Sequence, residues 1–390
     1  MATILGLRDV ADFASDERPK DWREAILRLY PQSKQQAPLN AFIAGMSKQP
    51  SSDPEFNWFE KGLAARQDAI NYSTGYGTTD TTLVVDSSAP FRANDLVLNV
   101  TTDEVMKVAS DPAAATQVVV ARGWGSTAAA ITDDDPLVII GNAIAEGADP
   151  PSSLYTDPSK VYNYCQIFRT SLNVTETAKA TKLRTGDVYK NMMKEALDIH
   201  SVDMERAFIF GVRNEDLTGD EPRRSTGGIL SFISTNLSTV SGGNLTSAVW
   251  DAFLRDLFKY DTRDKLCLCG NQVLLVIQQM AESRYNVQLS VGATWAGLEL
   301  IKWVTPFGTV LFKNHPLFNE VTAHSKMALF LTLQNIKYRP LRGRDTKFLK
   351  DRQARGADKK TDEYLTEAGL EVQHEKTHGV MHNINAFSSS

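Results

Sequence analysis

The sequence predicts an α+β chain built from segregated parts. Three observations carry this. Residues 75–150 hold short β-type runs separated by turns. One long amphipathic stripe occupies about 185–211. Residues 246–335 alternate between helical and strand patterns.

In chain order, residues 1–54 read as an irregular arm. Trp22, Ile26 and Leu29 predict one helix from Pro19 to Tyr30, and Pro31, Pro38, Pro50 and Pro54 predict extended chain beyond it that packs on something else. Phe56-Asn57-Trp58-Phe59 opens a second extended segment. Thr81–Val85, Asp95–Val100, Val118–Arg122 and Pro136–Ile140 then read as strands of a small all-β unit. Residues 75–150 hold 11 acids against 3 bases, a net of −8. Asp133-Asp134-Asp135 contributes to this. It lacks the spaced oxygen ligands of a calcium loop and reads as a solvated turn. Residues 161–178 look extended again, so two extended segments bracket the β unit like a long hairpin with an insertion near its tip.

Thr185 is the expected N-cap of the long helix, with Asp187 in its first turn. Val188, Met192, Ala196, Ile199, Asp203, Ala207 and Phe210 form its stripe, and Gly211 ends it. After a loop at Arg223–Gly228 and a short apolar segment at Ile229–Ile233 comes an α/β module. Its helices are expected at Ser247–Tyr260 and Asn271–Arg284. Its strands are expected at Lys265–Cys269, Gly297–Val304, Thr309–Lys313 and Met327–Leu333. No GxGxxG or P-loop pattern marks a nucleotide site. Residues 337–360 carry ten Lys and Arg against three acids, a net of +7. Extended chain follows at Tyr364–Gln373, then His374 to Asn385.

The bulk numbers fit a globular chain with a real core: 390 residues, 42% hydrophobic, 23% charged. A net charge of −5 does not suit a protein that coats nucleic acid. No run approaches 18 apolar residues, and Met1 to Phe13 is no secretory signal, so no membrane partner and synthesis in the cytoplasm are expected. Three cysteines give no disulfide framework. Cys267 and Cys269 share one face of a strand and read as buried thiols.

Two motifs suggest other chemistry. His374-Glu375-Lys376-Thr377-His378 matches H-E-x-x-H, which on a helix places two imidazoles on one face for zinc, with Glu as general base. Gly379 follows at once, and Leu365–Val372 upstream ends in β-like alternation, so the match reads as incidental to a terminal strand. A zinc peptidase stands as the alternative. The basic segment 337–360 could bind phosphates, but Tyr338 and Phe348 are its only aromatics, and pairing with acidic surface on a neighbouring copy suits it better. There is no G-x-S-x-G, and Cys165 has no nucleophile signature. Neither catalytic, cofactor-binding nor metal-ligating residues are expected.

Several stretches carry a family resemblance: Phe56-Asn57-Trp58-Phe59-Glu60, Ala121-Arg122-Gly123-Trp124-Gly125-Ser126-Thr127, Gly141-Asn142-Ala143, Glu146-Gly147-Ala148, Thr226-Gly227-Gly228-Ile229, and Gly369-Leu370-Glu371-Val372 with Glu375-Lys376-Thr377-His378-Gly379. Together with the order of parts, they resemble the tailed-bacteriophage major capsid proteins of the Hong Kong 97 fold, in the branch whose extended loop carries a β-rich insertion. The resemblance spans roughly residues 55–385.

It implies a structural, non-enzymatic subunit of an icosahedral or prolate head, forming hexamers and pentamers around double-stranded DNA. Scaffolding, decoration and portal proteins are possible partners by the same resemblance. An N-terminal arm would cover 1–54. An extended loop would cover 55–180, with its all-β insertion at 75–150. The spine helix and peripheral domain would take 181–245, an axial α/β domain 246–340, and a C-terminal return to the peripheral domain 341–390. The short arm implies a separate scaffolding protein or none. No Lys–Asn cross-link pair can be nominated. In this reading 1–54 and 55–180 reach onto adjacent copies, while 185–211 and 246–335 form the rigid body.

Overall fold

The structure is a computed structural model that describes residues 37–44, 48–62, 65–149, 151, 153–181, 187–285, 291–295 and 298–388. The expected helix Pro19–Tyr30 and the expected cap Thr185 lie outside the described residues. The chain divides into two compact units, Phe59–Lys160 and the remainder.

The first unit is a β-barrel. Its sheet runs Gln67–Ala69, Pro136–Asn142, Asp95–Asn99, Val105–Val108, Gln117–Ala121, Thr82–Val84. An antiparallel bridge between Ile70 and Val85 joins the two outer strands. The Asn71 amide donates to Val84 at 3.0 Å and the Asp86 amide to Ala69 at 3.1 Å. Closure leaves no free sheet edge. Alternation along each strand sends Leu83, Val97, Met106, Val118, Val120 and Ile139 into one core with Ile70, Phe91 and Ile131. The strand Val105–Val108 escaped the sequence reading because Lys107 interrupts so short a run.

In the second unit the helix Val188–Phe210 starts on Asp187, whose carboxylate accepts from the Tyr189 and Lys190 amides. Asp187 is therefore the cap and not a first-turn residue. The helix buries Ala196, His200, Met204 and Phe208 against a mixed-length antiparallel sheet. The centre of that sheet is the 14-residue strand Lys359–Val372. Gln166–Thr175 lies on one side of this strand, with Lys347–Leu349 and Ile336–Pro340 on the other.

The expected hairpin is thus corrected. Glu55–Glu60 pairs with Ser159–Tyr164, but the following strand Gln166–Thr175 pairs with Lys359–Val372. Long cross-strand pairing of β-tolerant residues outcompetes continuation of a hairpin.

The leading segment is corrected as well. Residues 37–44 do not reach away from their own chain: Leu39, Phe42 and Ile43 are buried in the core formed with Met204, Phe208 and Tyr338. Residues 49–51 extend the sheet, with Gln49 and Ser51 amides donating to Tyr338 and Pro340.

A seven-stranded sheet forms the α/β module, in the order Leu237–Thr239, Gly379–His382, Ala328–Leu331, Lys265–Cys269, Thr309–Asn314, Leu298–Val304, Val291–Trp295. Two domain expectations change here. Leu237–Thr239 and Gly379–His382 belong to this sheet, while Ile336–Pro340 belongs to the sheet under the long helix. Lys265–Cys269 is buried at every position because both of its faces are covered. Leu266 and Leu268 face the core shared with the long helix. Cys267 and Cys269 face Trp250, Val273 and Ile277 on the helices Ser247–Leu257 and Asn271–Tyr285. All three cysteines are free and buried.

Candidate assembly surface

Residues of Lys359–Val372 alternate between two faces. Tyr364, Thr366, Ala368, Leu370 and Val372 lie under the long helix and its core. Glu363, Glu367 and Glu371 occupy the opposite face, and each meets arginine. Arg339 lies 3.0 Å from Glu371, Arg344 bonds Glu367, and Glu363 takes Arg169 at 2.5 Å and Arg352 at 3.5 Å. The carboxylates are buried, whereas Arg169, Arg344 and Arg352 stay about half exposed.

This ladder corrects part of the charge expectation. Arg339, Arg344 and Arg352, together with Lys360 beside Asp351 and Asp362, find acidic partners on their own chain and not on a neighbour. Lys347 and Lys359 lie on the ladder face by register. Lys347 sits opposite Leu365, and Lys359 precedes Glu363 by two strand repeats. Both are exposed and form no ion pair among the described residues.

On the other face His200 bridges helix to sheet. Its Nδ1 lies 3.0 Å from the Thr170 hydroxyl and its Nε2 2.7 Å from that of Thr366. Burial holds the imidazole below its ordinary value, against the opposing charge of Asp203. Tyr189 donates to Asp362, and burial with that carboxylate pushes its phenol up to about 12.

The residues of the resemblance motifs hold backbone together. Asn163 donates to the Gly227 and Leu370 carbonyls at 3.0 and 2.7 Å and accepts from the Gly227 amide at 2.7 Å. A Cβ on Gly228 would stand 2.6 Å from the Gly211 nitrogen, and one on Gly369 would stand 2.6 Å from the Tyr164 carbonyl. Only glycine permits these approaches.

The H-E-x-x-H match lies on no helix of useful length. His374 holds a left-handed φ of 52°, Glu375–Thr377 is one 3₁₀ turn, and a strand begins at Gly379. It is a turn between strands, where the sequence reading placed it within a terminal strand. His378 is fully buried and already engaged: Nδ1 accepts from the Thr332 amide at 3.3 Å, and Nε2 lies 3.2 Å from the Gln373 carbonyl. Glu375 accepts from the Ser234 and Thr235 amides, so it serves as a cap.

The triple-Asp turn is only partly solvated. Asp133 accepts from the Tyr72 amide and Asp134 is exposed. Asp135 is buried and accepts from Asn99 and Thr132. Burial raises its carboxyl, and these hydrogen bonds outweigh that and hold it below the usual value.

Sequence reasoning missed the barrel's internal ion pair. Glu104 is fully buried and receives Arg122 through Nε at 2.9 Å and Nη2 at 2.7 Å, plus the Gly123 and Ala129 amides. Arg122 also donates to the Gly77 and Asp80 carbonyls. The available signal was Arg122, one of only three bases among the 11 acids of residues 75–150.

Residues 14–385 match the family described as SU10 major capsid protein. The chain belongs to that family. This capsid subunit is 24% identical over 362 residues to the major capsid protein of Pseudomonas phage PaMx41, covering 89% of this chain and 84% of that protein. Its fold is similar to the capsid of an empty GTA particle, with a TM-score of 0.50 at 11% identity over 97% of this chain and 99% of that one. A chain of Microbacterium phage Oxtober96 aligns with a TM-score of 0.46 at 8% identity, over 95% and 96% of the two chains.

The α+β architecture is the Hong Kong 97-type capsid fold, and the protein is a structural subunit of the phage head in the virion shell. Among the described residues, no helix of the capsid subunit is long and apolar enough to cross a membrane.

Proposed function

We propose that this subunit assembles with copies of itself into hexamers and pentamers, closing an icosahedral or prolate head around double-stranded DNA. Membership of the capsid family over residues 14–385 carries the reading. Physical chemistry supports it. A closed shell of one chain needs repeated, self-complementary contacts of modest strength. The net charge of −5 limits non-specific adhesion of packaged DNA.

In this reading the subunit performs no catalysis. Its synthesis takes place in the host cytoplasm, and scaffolding, decoration and portal proteins are its further partners. The paired strands Glu55–Glu60 and Ser159–Tyr164 act as the base of the extended loop, the barrel between them is its all-β insertion, and the long helix is the spine. Electron microscopy of the protein expressed alone tests the reading. Closed particles, or free hexamers and pentamers, are the expected result. A monodisperse monomer at every concentration and salt overturns it.

A further inference from the structure

We infer that the buried ammonium of Lys265 is a positioning group: it fixes the angle between the two large sheets, and so the shape that the subunit offers to its neighbours in a shell. The inference rests on the capsid reading and adds to it one residue on which the geometry of assembly depends.

The chain passes directly from one sheet to the other at two places. Ala328–Leu331 of the seven-stranded sheet continues through residues 332–335 into Ile336–Pro340 of the sheet under the long helix. Lys359–Val372 returns through residues 373–378 into Gly379–His382. The two crossings are bonded to each other. The Gln373 amide donates to the Asn335 carbonyl at 2.8 Å, the Thr332 amide to His378 Nδ1 at 3.3 Å, and the Asn335 side-chain amide to the Thr377 hydroxyl at 2.9 Å.

Lys265 opens the central strand Lys265–Cys269 and is fully buried against both crossings. Its Nζ donates to the Thr332 hydroxyl at 2.7 Å and to the Thr377 carbonyl at 2.9 Å, and lies 3.5 Å from the Asp261 carboxylate. An ammonium has three donors, and here acceptors from three separate segments receive them. The Thr332 hydroxyl in turn donates to the Thr377 carbonyl at 3.2 Å, so the arrangement closes on itself. Arg263 extends it, with Nη2 3.1 Å from the Asn335 side-chain oxygen and Nε 2.8 Å from Asp261.

Stability does not account for this lysine. Burial pulls its amine from 10.5 to about 8, against the opposing charge of Asp261. The charged form is thus worse placed in the fold than in water, and an apolar chain of the same length would fill the site without that burden. What an apolar chain lacks is direction. The two sheets share one core, with Leu266, Leu329, Leu331 and Val380 from the first and Ile336, Leu370 and Val372 from the second. Such contacts are non-directional and tolerate small rotations. Hydrogen bonds from one point to three segments do not.

Lys265→Met in the full chain tests this. Denaturant midpoints should equal or exceed those of the parent. Amide exchange at Thr332 and Gln373, which bridge the crossings, should quicken about tenfold or more while the strands on either side keep their protection. The yield of closed particles of parental diameter should fall about tenfold or more, with open or mixed-size assemblies in their place. Thr332→Val against Thr332→Ser asks the same question without touching the lysine. Serine keeps the acceptor oxygen and should assemble as the parent does, and valine should not.

Parental exchange at Thr332 and Gln373 in the methionine variant, or parental particles from it, overturns the inference while leaving the capsid reading intact. So does a methionine variant with a lowered midpoint and protection lost evenly along the chain, because the lysine then serves stability alone. If Lys265→Met does not fold, the threonine pair decides, and equal behaviour of valine and serine overturns the inference. Failure of the wild-type chain to close shells counts against the capsid reading itself, and exchange, which needs no particles, still decides the role of Lys265.

Discussion

The carboxylate of Glu205, in the middle of the long helix, lies 2.8 Å from Nε2 of His315 in the fully buried core. The same carboxylate accepts from the Leu39 and Asn40 amides at 2.7 Å each. One acid thus ties the helix, the strand end before Pro316 and the leading segment together. Glu205→Ala strips partners from the buried Leu39 amide, the part-buried Asn40 amide and one imidazole. It should cost about 3–5 kcal/mol, read by denaturant titration, with loss of exchange protection at Leu39 and Asn40. Glu205→Gln, which keeps one acceptor oxygen, should cost less. Equal stability of the alanine variant and the parent contradicts the role.

Glu104→Ala should unfold the barrel selectively. It leaves the buried Arg122 guanidinium unpaired, at a cost of about 3–5 kcal/mol. Burial pushes the Glu104 carboxyl up. The bonds from Arg122, Ala129 and Gly123 and the Arg122 charge outweigh it, so its value falls below the ordinary 4.5. A depressed carboxylate stabilises the fold above its unfolded value and loses that contribution as pH drops through the folded one. Acid titration of barrel signals should therefore show the parent losing stability below about pH 4.5, and Glu104→Gln with a flatter profile.

His378 predicts a second acid response at milder pH. Burial, then the nearby Lys265 charge, pull its imidazole from 6.5 to about 4. Its ring is neutral when folded, with Nδ1 as acceptor and Nε2–H as donor. Between these values the unfolded chain binds the additional proton, so stability rises with pH across the window and is fully present above 6.5. Denaturant midpoints should fall from pH 7 to pH 4, by up to roughly 3 kcal/mol from this residue. His200, also depressed by burial, adds in the same direction. His378→Gln should reduce the slope, and an unchanged slope refutes the assignment.

Zinc should not copurify. His378 spends both ring nitrogens on Thr332 and Gln373, and Glu375 caps the Ser234 and Thr235 amides. Elemental analysis should find well under one zinc per chain after dialysis. One tightly held zinc revives the peptidase reading.

Much of the architecture was legible in the residues because local periodicity writes itself into sequence. The helix Val188–Phe210, the apolar run Leu266–Cys269 and the short runs of the barrel were legible, but the buried face of the helix was not the predicted stripe: Ile199 and Asp203 are exposed, and His200, Met204 and Phe208 are buried beside Ala196. Pairing partners were not legible. Gln166–Thr175 has the same β-tolerant composition whether it returns along a hairpin or joins Lys359–Val372, and nothing in Leu237–Thr239 names its sheet. The ladder was hidden for the same reason. Glu363, Glu367 and Glu371 have the right spacing, but only the fold brings Arg169 and Arg339 across to them.

By itself the sequence determined the elements: an α+β chain, a long helix, an acidic β segment and a basic segment. Tertiary structure decided which strands meet, that the barrel closes through Ile70 and Val85, and that residues 37–44 fold into their own core. It also decided which cations are neutralised within the chain and which remain outward. Local periodicity follows from backbone geometry alone, whereas pairing and charge compensation depend on contacts between separate segments, 23 positions apart for Arg344 and Glu367 and 194 for Arg169 and Glu363, and short segments do not encode those individually.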